Sequence, residues 1–534
     1  MLIVTAATLG KTRQIRCANM SAMWLAGRVF AVLLALPITA GTLCAPAQAA
    51  PQAGYGQPAA WGSCQRFFAA TPLVTQALPT AQCADVPVPV NWDAPDSQAD
   101  SQGAQAQLAV IRVPASGQRI GTLMVNPGGP GASAVDTVAG MAAALDGTAI
   151  RQGFDLVGFD PRGVGYSTPQ LRCRTDAEFD AYRREPLADY SPAGVAHIED
   201  VYRQFAQSCL DRMGREFLAN VGTASAARDM DVVRAALGDE QINYLGFSYG
   251  TELGAAYADR YPDRVRAMVL DGAVDPGSDP VSENVNQLAG FQEAFTDYAT
   301  DCARSPDCPL GTDPAQFSAR YHQLIDPLVQ RPGGTSDPRG LGYADAITGT
   351  ANALYTQRYW KYLTSGLLGL ARGTDAGDLL TLADDYWHRD ENGRYGNQQD
   401  AFAAIRCVDA PYPTDPAVWA EADRRARAAA PFMEYGTFTG YAPRDMCALW
   451  PVPATTVPHQ ASPLGAGKAV VVSTTHDPAT PYQAGVDLAR ELNAALITFD
   501  GTQHTVVFNG DACVDSAVVN FLVGLTPPPA GLRC

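Results

Sequence analysis

This 534-residue chain has no basic excess: 38 Lys and Arg face 55 Asp and Glu, for a formal charge of −17. A surface of that sign repels phosphates, which argues against nucleic acid and anionic bilayers as partners. No Cys-x-x-Cys pair or His/Cys cluster has zinc spacing, so no metal is expected, and nothing in the sequence calls for a cofactor. There is no internal repeat and no long low-complexity tract, and with 47% apolar residues the chain reads as globular. The apolar run from Val29 to Leu43 is too short to span a bilayer comfortably, which takes about 20 residues. Stable membrane association is therefore not expected.

That run does have the setting of an export signal. Lys11, Arg13, Arg16 and Arg28 precede it, and Ala47 and Ala49 follow in the small-x-small pattern of a cleavage site. The expectation is a signal peptide over residues 1–49 and a secreted or periplasmic protein. Met20 and Met23 lie closer to the run and offer alternative starts. Cys44 invites a lipoprotein reading, but Gly41-Thr42-Leu43 lacks the small residue such a site wants before its Cys. Cleavage removes four cations and no acids, taking the charge from −17 to −21. It also removes Cys17 and Cys44, leaving ten cysteines, an even number that suits disulfides in an exported chain. Nearest-neighbour pairing gives Cys64–Cys83, Cys173–Cys209, Cys302–Cys308, Cys407–Cys447 and Cys513–Cys534, although spacing alone does not fix connectivity.

The length exceeds one ordinary core, so a large domain with an insertion, or two domains, is expected. Short apolar runs read as strands at Leu108 to Val113, Gly121 to Val125, Phe154 to Phe159, Ile242 to Phe247 and Val265 to Leu270. Helical stretches between them indicate a mostly parallel sheet covered on both faces. The rhythm stops after Asp275-Pro276. Residues from about 280 to 455 read as helices and Pro/Gly-rich turns, with a long aromatic-rich stretch from Tyr343 to Leu370, broken near Tyr359 and Trp360. Strands return at Ala469 to Ser473 and Ala495 to Phe499, with a closing helix near Ser516 to Val523. A helical insertion between sheet strands reads as a cap over the strands' C-terminal ends, where such sheets bind ligands. The expected division is 50–275 and 461–534 for the core and 276–460 for the cap.

Gly246-Phe247-Ser248-Tyr249-Gly250 fits the G-x-S-x-G nucleophile elbow, and its setting between an apolar strand and a helix makes Ser248 the candidate nucleophile. The Tyr249 N–H at that helix start faces an oxyanion. The second donor is expected from Asn126-Pro127-Gly128-Gly129-Pro130-Gly131, at Gly129 with Gly128 close behind, because glycines let a backbone N–H approach a carbonyl. His504, in the loop after the last strand, is the expected base. His322, His388 and His459 fall in or beside the cap as surface or packing residues. Asp477, after the preceding strand, is the expected acid, with Asp271 as rival and Asp275 weaker. His476 points away if Asp477 faces the site. The Asp160 to Ser167 loop is read as structural, its charges pinning a turn.

On these motifs the chain resembles the secreted tripeptidyl and prolyl aminopeptidases among α/β-hydrolase serine peptidases. The similar stretches are Asn126 to Ser133, Gly158 to Ser167, Gly246 to Gly254 with Tyr261-Pro262, Val269 to Pro276, and the block from His476 through His504 to Cys534. Tyr355 to Trp360 and Ala404 to Asp409 in the cap are also similar. The resemblance implies the α/β-hydrolase fold and release of short peptides from a free N-terminus. The prolyl relatives carry His where Pro127 stands, which favours the tripeptidyl branch. A capped site of this kind binds a substrate ammonium through carboxylates, for which Glu252, Asp384, Asp385 and Asp409 are candidates among many simply solvated acids. A secreted carboxylesterase with the same Ser-Asp-His triad is the alternative. A non-catalytic recognition protein fits poorly, since all three triad positions are filled. Oligomeric state cannot be read from the sequence.

Overall fold

The computed structural model describes residues 56–68, 76–94 and 104–534. The expected export segment, with Cys17, Cys44 and the alternative starts, lies outside the described residues. Among those described, no helix is long and apolar enough to cross a membrane.

Eight strands form one sheet in the order β1-β2-β4-β3-β5-β6-β7-β8. They are β1 (Gln82–Pro89), β2 (Gln105–Val113), β3 (Gly121–Asn126), β4 (Phe154–Phe159), β5 (Ile242–Phe247), β6 (Val265–Asp271), β7 (Ala469–Thr474) and β8 (Ala495–Phe499). The pairs β1–β2 and β2–β4 are antiparallel and the rest are parallel. All seven strands expected from apolar runs are present. β1 was not expected, because Pro87 and Pro89 break its pattern; it sits at the sheet edge, where proline is tolerated.

Alternation along the strands sorts apolar side chains onto two faces. Met124, Tyr244, Met268 and Val471 pack into one core, with Met230, Leu253 and Leu488 from the helices Thr223–Leu237, Tyr249–Arg260 and Tyr482–Glu491. Leu123, Leu245, Val269 and Val472 pack into the other, covered by the helices Ala134–Ala144 and Ala512–Gly524. The loop after β4 is pinned by its charges, as expected. Arg162 is fully buried, with two hydrogen bonds to Asp229 (2.7 and 2.6 Å) and others to the carbonyls of Pro89, Val90 and Asn220. Asp160 accepts from Ser133 Oγ and from the N–H groups of Val135 and Tyr166.

Between β6 and β7 the described chain is helical, as expected, and the stretch from Tyr343 divides into Tyr343–Leu354 and Trp360–Arg372. This insertion has its own core, in which Phe295 stacks on Phe432 with ring centroids 4.2 Å apart. One of its helices, Gln398–Asp409, instead sends Ala401, Ala404, Ile405 and Val408 into the sheet's core. The insertion is thereby anchored in the sheet's core.

The ten cysteines form the five nearest-neighbour disulfides. Two of these staple the sheet's margins. Gly62 exchanges two backbone hydrogen bonds with Cys83 on β1, two residues from Cys64 and its bond to Cys83. At the far side Thr498 on β8 donates to Leu532 O and accepts from the N–H of Cys534, whose sulfur is bonded to Cys513.

Candidate active site

β5 ends in a turn that places Ser248 at φ +54°, a backbone conformation that L residues other than Asn and Asp seldom adopt and that is retained only where the surroundings enforce it. Its N–H donates to Asp271 O (2.9 Å), and its carbonyl accepts from the N–H and the hydroxyl of Thr251 (2.7 Å each). The turn has no room for side chains at its glycines. A Cβ on Gly246 would strike the Gly250 carbonyl, and one on Gly250 would lie 2.6 Å from Asn126 O. The helix Tyr249–Arg260 starts directly after Ser248, so the Tyr249 N–H lies at its positive end.

The glycine loop after β3 leans on this turn. Gly128, at φ +93°, has its Cα so close that a Cβ would lie 2.9 Å from Ser248 Cβ. The Gly128 N–H is committed to Asn126 Oδ1 (3.0 Å). The N–H groups of Gly129 and Tyr249 find no acceptor among the described residues, and both residues line one cavity with Ser248. Of the two glycines named from the sequence, Gly129 is thus the one with a free donor at the nucleophile.

His504 lies 27 residues after Asp477, and the loops following β7 and β8 bring the two together. Its Nδ1 meets both oxygens of the fully buried Asp477 carboxylate, at 2.9 and 3.0 Å. Asp477 Oδ1 also accepts the N–H groups of Ala479 and Thr480 (2.9 Å each), which fixes its orientation. Burial alone would push the His504 imidazolium toward neutrality, but the Asp477 carboxylate offsets this and leaves its pKa above the ordinary 6.5. Gly272 ties the two halves of the site together. It directly follows Asp271, the acceptor of the Ser248 N–H, and a Cβ on it would lie 3.0 Å from His504 Cε1. Among the described residues no hydrogen bond joins Ser248 Oγ to the ring, a contact that in ligand-free enzymes often tightens only with substrate.

The rival acid Asp271 serves the loop instead. Its Oδ2 accepts the N–H groups of Val506 (2.8 Å) and Val507 (2.7 Å), and burial pushes its pKa up to about 7. His476 points outward to Asp297. The insertion reaches His504 directly: Tyr355 O accepts its backbone N–H (2.9 Å), and the Tyr355 ring stands edge-on to the imidazole at 5.3 Å.

The cavity beside Ser248 holds about 720 Å³ between sheet and cap. Of the four acids expected to face it, three do. Glu252 lines it one helical turn beyond Ser248, and Asp385 and Asp409 line it from the cap. Asp384 does not, because Arg183 (2.6 Å) and Arg339 (2.9 and 2.6 Å) hold it in an ion-pair network. Adjacent helical residues point about 100° apart, so only one of the pair can face a given wall. Both Asp409 oxygens accept from Thr223, by its N–H and its hydroxyl at 2.7 Å each, and Thr223 Oγ1 lies 2.5 Å from the Tyr249 hydroxyl. Burial lifts Asp409 to about 6. Burial, and then the charges of Asp409 and Glu283, lift Glu252 well above the usual carboxyl range.

Glu283, which the sequence reading did not single out, lines the same wall, as does Arg406, whose guanidinium is engaged by Asp445. Glu283 is an acid on an ordinary amphipathic helix, with no motif to mark it. His388 and His459 also line the cavity, whereas His322 is engaged with Asp326 and Pro431 O in the cap.

The family model described as alpha/beta hydrolase fold matches residues 121–511. Over 528 residues the chain is 65% identical to Carboxylesterase B of Mycobacterium tuberculosis, covering 96% of this chain and all of that protein. It is 50% identical over 487 residues to Serine protease Hip1 of the same organism, covering 90% of this chain and 91% of that one. It is 31% identical over 458 residues to Tripeptidyl aminopeptidase of Streptomyces lividans, covering 83% and 81%. With this sheet, this cap and these relatives, the chain belongs to the α/β-hydrolase fold family, among its serine hydrolases.

Proposed function

We propose that the chain is an exported serine exopeptidase that releases short peptides, chiefly tripeptides, from free N-termini through an acyl-enzyme. The observation that carries this reading is the acidic wall beside the nucleophile. Glu252, Glu283 and Asp409 line one cavity, and Arg406, which lines it too, is already engaged by Asp445. A substrate ammonium would pair with the half-buried Glu252 and Asp409 and with Glu283 at the rim, whereas a blocked N-terminus offers these acids no cation. Five disulfides among the described residues support an oxidising compartment.

In the proposed reaction, His504 takes the proton of Ser248 Oγ as the oxygen attacks the scissile carbonyl. The carbonyl oxygen becomes an oxyanion held by the Gly129 and Tyr249 N–H groups. Asp477 holds the ring with Nδ1 protonated, so that Nε2 accepts, and stabilises the imidazolium. His504 then protonates the leaving amine, and water, activated by the same ring, releases the peptide and restores Ser248. The second reading, a carboxylesterase with the same triad, draws support from the 65%-identical relative's name.

Two measurements test these readings, the first their shared nucleophile and the second the choice between them. Ser248→Ala should cut turnover of any substrate by roughly 10⁴-fold or more with the fold intact, and normal turnover in that variant would refute the nucleophile. Free tripeptide amides should be cleaved far faster than their N-acetyl forms. Rapid cleavage of short acyl esters, with indifference to a free amine, would favour the esterase.

A further inference from the structure

The cap helix Pro280–Cys302 runs along the loop that carries Asp477. Gln287 Nε2 donates to Ala479 O (2.8 Å), and Gly290 lies so close that a Cβ there would sit 2.8 Å from Asp477 O. Asp297, two helical turns further, does something different. One of its oxygens, Oδ2, meets both His476 Nδ1 and Thr502 Oγ1, at 2.6 Å each. His476 is the residue before Asp477, and Thr502 stands two residues before His504. The two loops are also joined by backbone bonds, His476 N–H to Gly501 O (3.0 Å) and Thr475 N–H to Phe499 O (2.9 Å), by the Gly501 N–H to the Thr475 hydroxyl (3.2 Å), and by the Asp477–His504 pair itself. A single carboxylate from the cap thus closes a knot across both triad-bearing loops, on the side away from substrate.

We propose that Asp297 is a positioning residue, which sets the spacing of the Asp477 and His504 loops from outside the cavity. The proposal rests on Asp477 and His504 being acid and base. Asp297 does not line the cavity beside Ser248; it lines a separate outer cavity of about 690 Å³ together with His476 and Thr502. Substrate contacts are therefore unchanged when it is altered. The Asp297 and His476 side chains are 32% and 49% exposed, so the contact adds little to global stability. Its effect belongs to the geometry of the ring and its acid, where small displacements are costly to rate.

The test compares Asp297→Ala, Asp297→Asn and Thr502→Val in the full chain. A small alkyl fluorophosphonate reads out the triad without touching the cap's substrate wall. Asp297→Ala should slow labelling and lower kcat on a free tripeptide amide by roughly 3- to 12-fold, the scale of one net hydrogen bond. KM should stay within about twofold, the pattern of a loss felt in the transition state alone. The melting temperature should not move. Asp297→Asn, which keeps an acceptor oxygen, should recover most of the rate. Thr502→Val should be impaired in the same way, and less than additively with Asp297→Ala. Wild-type labelling rates in Asp297→Ala, a change confined to KM, or an Asn variant as slow as the Ala variant would overturn the proposal. If Asp297→Ala melts early, Thr502→Val alone decides. Failure of the wild-type chain to label would instead overturn the triad reading itself, and this proposal with it.

Discussion

At the scale of single residues, the site sets two opposed fields on one imidazole. Burial disfavours the charged ring of His504 and Asp477 favours it, and the carboxylate prevails. In the proposed reaction His504 works when neutral, so kcat/KM should climb with pH through a midpoint above the ordinary histidine value of about 6.5. Asp477→Asn removes the carboxylate charge and leaves the burial. The midpoint should then move down, and the rate above it should fall by roughly 10⁴-fold, because the ring loses its working tautomer. A pH–rate profile of both proteins checks this, and an unmoved midpoint in the variant would count against the assignment. The raised carboxyls nearby have other causes: at Glu252 burial and the charges of Asp409 and Glu283 act in the same direction, whereas at Asp409 burial outweighs the bonds from Thr223.

At the scale of elements, the oxyanion loop depends on where its backbone can go. Gly128 occupies φ +93° against the nucleophile turn, with its N–H on Asn126. Gly128→Ala cannot keep that conformation cheaply, and its methyl would strike the Phe247 carbonyl. The loop should shift and withdraw the Gly129 donor, lowering kcat by roughly 10²-fold, the usual cost of one such donor, with a native circular dichroism spectrum. Unchanged kcat would show that the loop supplies no donor.

The strands were legible because each buried run is continuous and each is closed by a turn: Phe154–Phe159, Ile242–Phe247 and Ala495–Phe499 begin and end where the apolar pattern does. β1 was not, since an edge strand interrupted by Pro87 and Pro89 has no such run. The elbow, the glycine loop and the two later loops were legible because chain order in this fold dictates what each must carry. The cavity's far wall was not. Asp384 and Asp385 are equal in sequence, and only helix phase against Arg183 and Arg339 separates them. Glu283 joins the cavity, and Asp297 its knot, through tertiary contacts to which local pattern is blind.

At the scale of the molecule, folding drives protons onto buried carboxyls. Burial pushes Asp160, Asp271 and Glu434 up to about 7 and Asp400 and Asp409 up to about 6. The folded chain therefore holds more protons than the unfolded chain between about pH 4 and 7, and stability must fall as pH rises through that window. His504 acts in the same sense. Its raised value adds stability at low pH that disappears as pH climbs past it. Asp337, held near 2 first by its bonds to Arg339, loses its contribution only on the acid side of the window. The melting temperature should therefore be higher near pH 5 than near pH 8, a difference that a series of thermal scans would detect. A melting temperature that rose steadily across that range would contradict the burial of these groups.

The stapled margins of the sheet have a consequence for how the protein behaves among its own copies. An open strand presents unpaired amide and carbonyl groups that another chain can copy, the first step of fibril growth. Here Gly62 pairs with Cys83 on the outer side of β1 and the tail ending at Cys534 pairs with Thr498 on the outer side of β8, each beside a bond to sulfur. A reductant that opens Cys64–Cys83 and Cys513–Cys534 therefore does more than loosen the fold. It should release the segments paired at both ends of the sheet and raise the tendency to associate, which light scattering with and without reductant would read out.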